Sequence, residues 1–187
     1  MVFIKKNKFI LSMILGIIAV ALVIPSISST IDSIRTITKY EQGVPARFYF
    51  TLIEYICIFF SELIFIIIGV RRSLDRYLVA SSAILYYASL SANTIYEIVV
   101  DSNYSSIFSL IIQLLCLIMT ILAITKPQFL FGALIIIMVD AAFSLSRTFA
   151  GSTLSFSTLI LAVLLIFALY FSCYNRNLND VDYDQYS

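Results

Sequence analysis

Residues 106–125 read SIFSLIIQLLCLIMTILAIT, without one charged side chain. At about 1.5 Å of rise per residue such a helix reaches about 30 Å, the thickness of a bilayer's hydrocarbon core. Working outward, five more stretches of this kind appear at Phe9–Ile27, Phe48–Val70, Tyr77–Val100, Gln128–Leu145 and Leu154–Tyr174. Their ends are good to about three residues. The breaks between them are physical. Arg71-Arg72-Ser73-Leu74-Asp75-Arg76 is too charged for hydrocarbon, Asp101-Ser102-Asn103 is turn chemistry, Lys126-Pro127 stops a helix, and Ser146-Arg147 through Gly151-Ser152 closes the fifth run. In lipid, a run this long satisfies its own backbone only as a helix. The predicted class is therefore all-α: a polytopic bundle of six transmembrane helices forming one domain over residues 1–174. A polar tail follows at 175–187, predicted to be disordered, with Asp180, Asp182 and Asp184 too sparse for a calcium loop.

Composition agrees. The 187 residues are 61% hydrophobic and 12% charged, with a mean hydropathy of +1.00. A soluble domain is about 45–50% apolar and about 25% charged. The net charge of +1 argues against a nucleic-acid partner.

Orientation follows from the cations. Lys5, Lys6, Lys8, Arg71, Arg72, Arg76, Lys126 and Arg176 share one side of a six-span topology, against Arg35, Lys39, Arg47 and Arg147 on the other. The tight clusters all lie on the first side, which places both termini in the cytoplasm. With the Lys-rich start and an Ile/Asn/Tyr-rich composition, this suggests a bacterial or archaeal plasma membrane. The first span is read as retained; read as a cleaved signal peptide, it would leave five spans with the same orientation. In the long first connection, Ile27, Ile31, Ile34 and Ile37 recur at helical spacing opposite Asp32, Arg35 and Lys39. That spacing predicts a short amphipathic helix on the outer membrane surface, ending at Gly43-Val44-Pro45, as a cap or a gate.

Much chemistry is excluded by what is missing. There is no histidine, which removes Ser–His and Cys–His pairs, His-ligated haem and nearly all catalytic zinc sites. Cys57, Cys116 and Cys173 are isolated in apolar runs and read as small fillers. The five glycines are scattered and form no phosphate cradle. No Gly-x-Gly-Asp or Glu-Glu-x-x-x-Arg pattern is present. No enzyme activity, cofactor or metal is expected.

What remains is polar chemistry inside the membrane. Glu54, Glu62, Glu97 and Asp140 fall within the spans, where no Lys or Arg does. A charge at mid-bilayer costs about 2.5–3.5 kcal/mol on insertion scales, so each needs a buried reason. Spacing groups them with other polar residues. Ser82, Tyr86, Ser89, Asn93 and Glu97 share one face of the third span, and Ser106, Ser109, Gln113, Cys116 and Thr120 one face of the fourth. Asp140, Ser144 and Arg147 do so in the fifth, and Thr51, Glu54, Ile58 and Ser61 in the second. Each stripe is expected to face the bundle interior. The plain account of the Ser, Thr and Cys positions is glue between helices, at about 0.6 kcal/mol per contact. Glu62, alone in the inner half, reads as a helix contact.

The set Glu54, Asn93, Glu97, Gln113, Asp140 and Arg147 is predicted to line an outward-opening cavity. Its carboxylates would suit a small polar or cationic solute, Asn93 and Gln113 would orient it, and Arg147 would serve as a counter-ion. The first functional reading is thus a solute-binding transport component. A variant of it, stand-alone coupled transport, would pair Glu62 with Asp140 in inverted halves. The layout of six spans, internal termini and a long first external loop resembles that of the substrate-binding subunits of energy-coupling-factor vitamin transporters. That resemblance implies that small first-span residues meet a partner subunit; Ser12-x-x-x-Gly16 with Ala19 is the nearest equivalent, and no ligand motif of the family matches. The alternative reading is an accessory, assembly or immunity-type subunit packing through Ser12 and Gly16 against other membrane protein subunits.

Overall fold

The computed structural model describes residues 2–40, 43–72, 75–149 and 158–172. The predicted tail at 175–187 lies outside the described residues. Among the described residues the regular structure is entirely helical: α1 (Val2–Tyr40), α2 (Ala46–Arg71), α3 (Arg76–Val99), α4 (Ile107–Thr125), α5 (Leu130–Phe149) and α6 (Thr158–Ser172). Phe9–Tyr40 of α1, with α2, α3 and α4, is long and apolar enough to cross a membrane, whereas Leu130–Phe143 and Thr158–Ser172 are shorter apolar helices.

The breaks seen in sequence end the helices for identifiable reasons. After α2 the chain turns at Arg72, which takes a left-handed conformation (φ 51°) and donates its N–H to the Gly69 carbonyl. Asp75 then caps α3, its Oδ1 accepting from the Tyr77 N–H at 2.9 Å. Ahead of α5, Pro127–Phe129 forms a single 3₁₀ turn, so the fifth helix starts slightly later than predicted.

The first connection departs from expectation. Residues 28–40 are not a separate amphipathic helix; they continue α1, which runs unbroken through Pro25 to Tyr40. Periodicity at 3.6 residues reports a helix but not where it begins. Nothing between Ile24 and Ser28 except Pro25 suggested a break, and a proline removes one backbone donor without having to end the helix. The hydroxyls of Thr30, Ser33, Thr36 and Thr38 each donate to the carbonyl four residues earlier, within the continuous helix.

Helices α1 to α5 pack in chain order, each against its sequence neighbours, through connections short enough to make neighbours antiparallel. α6 packs on the inside of this series. Leu161, Ala162, Leu165 and Leu169 are completely buried, Val163, Leu164, Phe167 and Ala168 line a cleft with α1 and α2, and Thr158 faces Tyr86 of α3.

On α2, α3 and α4 the predicted stripes lie on the buried faces. On α2, Glu54, Ile58, Ser61, Glu62, Phe65 and Ile68 are buried, while Ile53, Phe60 and Ile67 on other faces are exposed. On α4 the pair is Gln113, Cys116 and Thr120 inside against Ile111, Leu115 and Ile118 outside. In hydrocarbon the outward Ile, Leu and Phe side chains meet lipid, and polar groups are satisfied by turning inward.

Helices α1 and α2 approach each other closely. Ser12 Oγ donates to the Phe65 carbonyl at 3.0 Å, and Gly16 lies against Ile66 and the Glu62 carbonyl. From the other side Gly69 meets Met13 and the Phe9 carbonyl so closely that a Cβ there would stand 2.6 Å from Met13 Cβ. Ser12 and Gly16, expected to meet a separate subunit, are therefore engaged by α2 of the same chain, and Ala19 is fully buried. The sequence marked these residues as an association face without saying which helix would take it.

Candidate functional site: a buried polar cluster

Along the α2–α3 seam, three contacts succeed one another at about one helical turn each. Outermost, the Arg47 guanidinium pairs with Asp101 at 3.7 Å. Next, the Phe50 and Tyr96 rings stack with centroids 4.7 Å apart. Below them Asn93 donates through Nδ2 to Oε2 of Glu54. Further along the same seam the Ser61 and Ser82 hydroxyls meet at 2.7 Å.

The Glu54–Asn93 pair opens onto a larger group. Glu54 is 8% exposed, Asp140 of α5 is 7% exposed, and Tyr86 of α3 is fully buried within electrostatic reach of both carboxylates. Tyr87, whose ring lies 4.7 Å from that of Tyr86, also feels Asp140 and adjoins the Cys116 thiol of α4. Cys116 points its Sγ at the Ile136 carbonyl, 3.6 Å away. Helices α2 to α6 each contribute a polar side chain to this cluster: Glu54, Asn93 with both tyrosines, Cys116, Asp140 and Thr158. Chemically it offers two carboxylates, an amide and two phenols.

The six predicted site residues fall into several places. Glu54, Asn93 and Asp140 belong to the cluster. Gln113 is 2% exposed and held between α3 and its own helix, with Oε1 accepting from Thr94 and Nε2 donating to Ser109, each at 3.1 Å. Glu97 sits at the α3–α4 corner. Its Oε2 accepts from Ser106 at 3.1 Å and its backbone carbonyl accepts from the Asn103 N–H, so it fastens the turn between the two helices. The backbone of Arg147 is in α5, but its side chain, with that of Ser144, lies outside the described residues. Glu62 is fully buried and its backbone carbonyl lies against Gly16; Glu54, not Glu62, is the α2 carboxylate that acts on Tyr86.

Two cavities beside the helices are lined by none of the six residues. A cleft of about 80 Å³ between α1, α2 and α6 is lined by Phe9, Leu15, Ile68, Leu164 and Phe167 and is almost wholly apolar. An open groove of about 750 Å³ runs beside the C-terminal half of α1, along Ser28, Asp32, Ser33 and Thr36 to Phe48.

Sequence reasoning missed Tyr86 as the residue common to both carboxylates, along with Tyr87 and Thr158. Tyr86 had a signal, being seven residues from Asn93 on the same stripe; Thr158 had none, because its role depends on where α6 packs. No family model, curated protein or solved structure matches the chain.

Proposed function

We propose that the chain is a multi-pass membrane protein that binds a small cationic solute as a component of a transport system. In this reading it spans a prokaryotic plasma membrane six times with both termini in the cytoplasm. The observation that carries the reading is the placement of Glu54 and Asp140, from helices that are not sequence neighbours, around one buried tyrosine. Two charged carboxylates inside a membrane are costly, and a positively charged ligand would offset that cost. The ring faces of Tyr86 and Tyr87 add a surface favourable to an ammonium group. The Phe50–Tyr96 stack and the Arg47–Asp101 pair close the seam above the site, so entry from that end requires both to part. The accessory-subunit reading drew on Ser12 and Gly16, and both are taken up by α2.

The test is thermal stabilisation of the purified protein by a panel of primary, secondary and quaternary ammonium compounds. At least one compound should raise the unfolding midpoint, and Glu54→Gln and Asp140→Asn should each weaken its binding by tenfold or more, about 1.4 kcal/mol. A panel without a single stabilising compound, or variants that bind as the parent does, would sink the proposal.

A further inference from the structure

The start of α1 and the end of α2 lie side by side. Ser12 meets the Phe65 carbonyl, Gly16 the Glu62 carbonyl and Gly69 the Phe9 carbonyl, an antiparallel register that brings Arg71 and Arg72 level with residues 5–8. Lys5, Lys6 and Lys8 fall in that stretch, so five cationic residues share one end of the helix pair. Arg71 and Arg72 are exposed, and neither forms an ion pair among the described residues. Asp75, the acid that follows them in the chain, accepts from the Tyr77 N–H. A second feature adjoins this end. The apolar cleft between α1, α2 and α6 begins at Phe9, next to Lys8, and at Ile68, three residues before Arg71. Ser12 is the one polar side chain among its described lining residues, and its hydroxyl already donates to the Phe65 carbonyl. The cleft therefore offers nothing to water or to a polar ligand, and an apolar cavity of this kind stays dry.

We propose that this end of the bundle binds one anionic phospholipid, with its headgroup phosphate on Arg71 and Arg72 and an acyl chain in the cleft. Charge selects the headgroup. Guanidinium groups offer paired N–H donors to phosphate oxygens, and clustered basic residues at a membrane surface favour anionic lipids. Size and polarity select the chain. The cleft holds about 80 Å³, so a further helix, about 10–12 Å across with its side chains, could insert no more than one side chain there. A single polymethylene chain is narrow enough to enter. The spacing joins the two parts, because Ile68 lies about 5 Å along the helix axis from the two arginines and an acyl chain begins just below its phosphate. Val163, Leu164 and Phe167 form the far wall, so a bound chain would tie α6 to the α1–α2 pair. The inference uses only the membrane setting of the reading above and nothing of the solute.

The test is photo-crosslinking of the full-length protein in phosphatidylcholine vesicles that carry a trace of phospholipid with a diazirine in its acyl chain. Probes with a phosphatidylglycerol or a phosphatidylcholine headgroup are compared, and adducts are mapped by mass spectrometry. The anionic probe should label residues 9–15 and 163–168 about threefold or more above the zwitterionic one. It should show no such preference at Ile111, Leu115 and Ile118, which are exposed on α4. Unlabelled phosphatidylglycerol should compete, and millimolar inorganic phosphate should not. The Arg71→Gln/Arg72→Gln variant should lose the preference, whereas Arg71→Lys/Arg72→Lys should keep most of it, which separates lost charge from lost folding. Equal labelling by the two probes, labelling spread evenly over α4 and the cleft, full competition by phosphate, or indifference to the glutamine changes would each overturn the inference. The two readings fail separately. Release of the chain from membranes by alkaline carbonate would end both, while a membrane-bound chain without headgroup preference at the cleft ends this one alone.

Discussion

Asn93 of α3 holds Glu54 of α2 by a side-chain hydrogen bond from Nδ2 to Oε2, one turn beneath the stacked rings of Phe50 and Tyr96. The bond joins two helices, with Glu54 buried and Asn93 half-buried. Breaking it from one side only is costlier than removing both groups, because a lone buried acceptor keeps its full desolvation penalty.

Asn93→Leu is accordingly expected to lower unfolding stability by about 1 kcal/mol, within the range of about 0.6 to 1.7 kcal/mol measured for interhelical polar contacts in membranes. The double variant Glu54→Leu/Asn93→Leu should recover part of that loss. Denaturant titration in detergent checks both; a double variant less stable than the sum of the singles contradicts the account.

Glycine substitutions separate two kinds of close contact. At Gly69 an added methyl meets Met13 Cβ at 2.6 Å and the Phe9 carbonyl at 2.8 Å, atoms that move only with the α1 backbone. Gly69→Ala should therefore destabilise by about 1–3 kcal/mol, the ordinary cost of overpacking. At Gly132 the methyl would meet only the flexible end of Met119, so Gly132→Ala should be nearly neutral, within about 0.5 kcal/mol. Equal shifts of the thermal midpoint would show that α1 and α2 are not locked as described.

Topology has its own test. With Cys57, Cys116 and Cys173 replaced by serine or alanine, single cysteines at Ser102 and at Lys126 fall in successive turns at opposite ends of α4. A membrane-impermeant thiol reagent added to intact cells should modify the first, and should reach the second only after permeabilisation. The reverse pattern would invert the proposed orientation.

How much was legible from sequence differs between these elements. The stripe Glu54, Ile58, Ser61 could be recognised as an inward face because helical spacing alone puts those residues on one side, and lipid leaves polar groups no other direction. Ser12 and Gly16 could be recognised as an association face for the same reason. That α2 rather than a second protein fills that face could not, since close approach depends on Gly69 arriving opposite Met13 from a distant part of the chain. The continuation of α1 beyond Pro25 escaped notice because amphipathic spacing is the same in one helix as in two.

Local pattern thus determined the class, the helix positions and the inward faces, since hydrophobic length and a 3.6-residue period act within a single segment. Only tertiary structure decided which polar residues meet. Glu54 joins Asn93 and shares Tyr86 with Asp140, while Glu97 is spent on Ser106 and Gln113 on Thr94 and Ser109. Those pairings depend on helix order, rotation and depth, and above all on α6 packing inside the series, none of which is encoded in the spacing of any one helix.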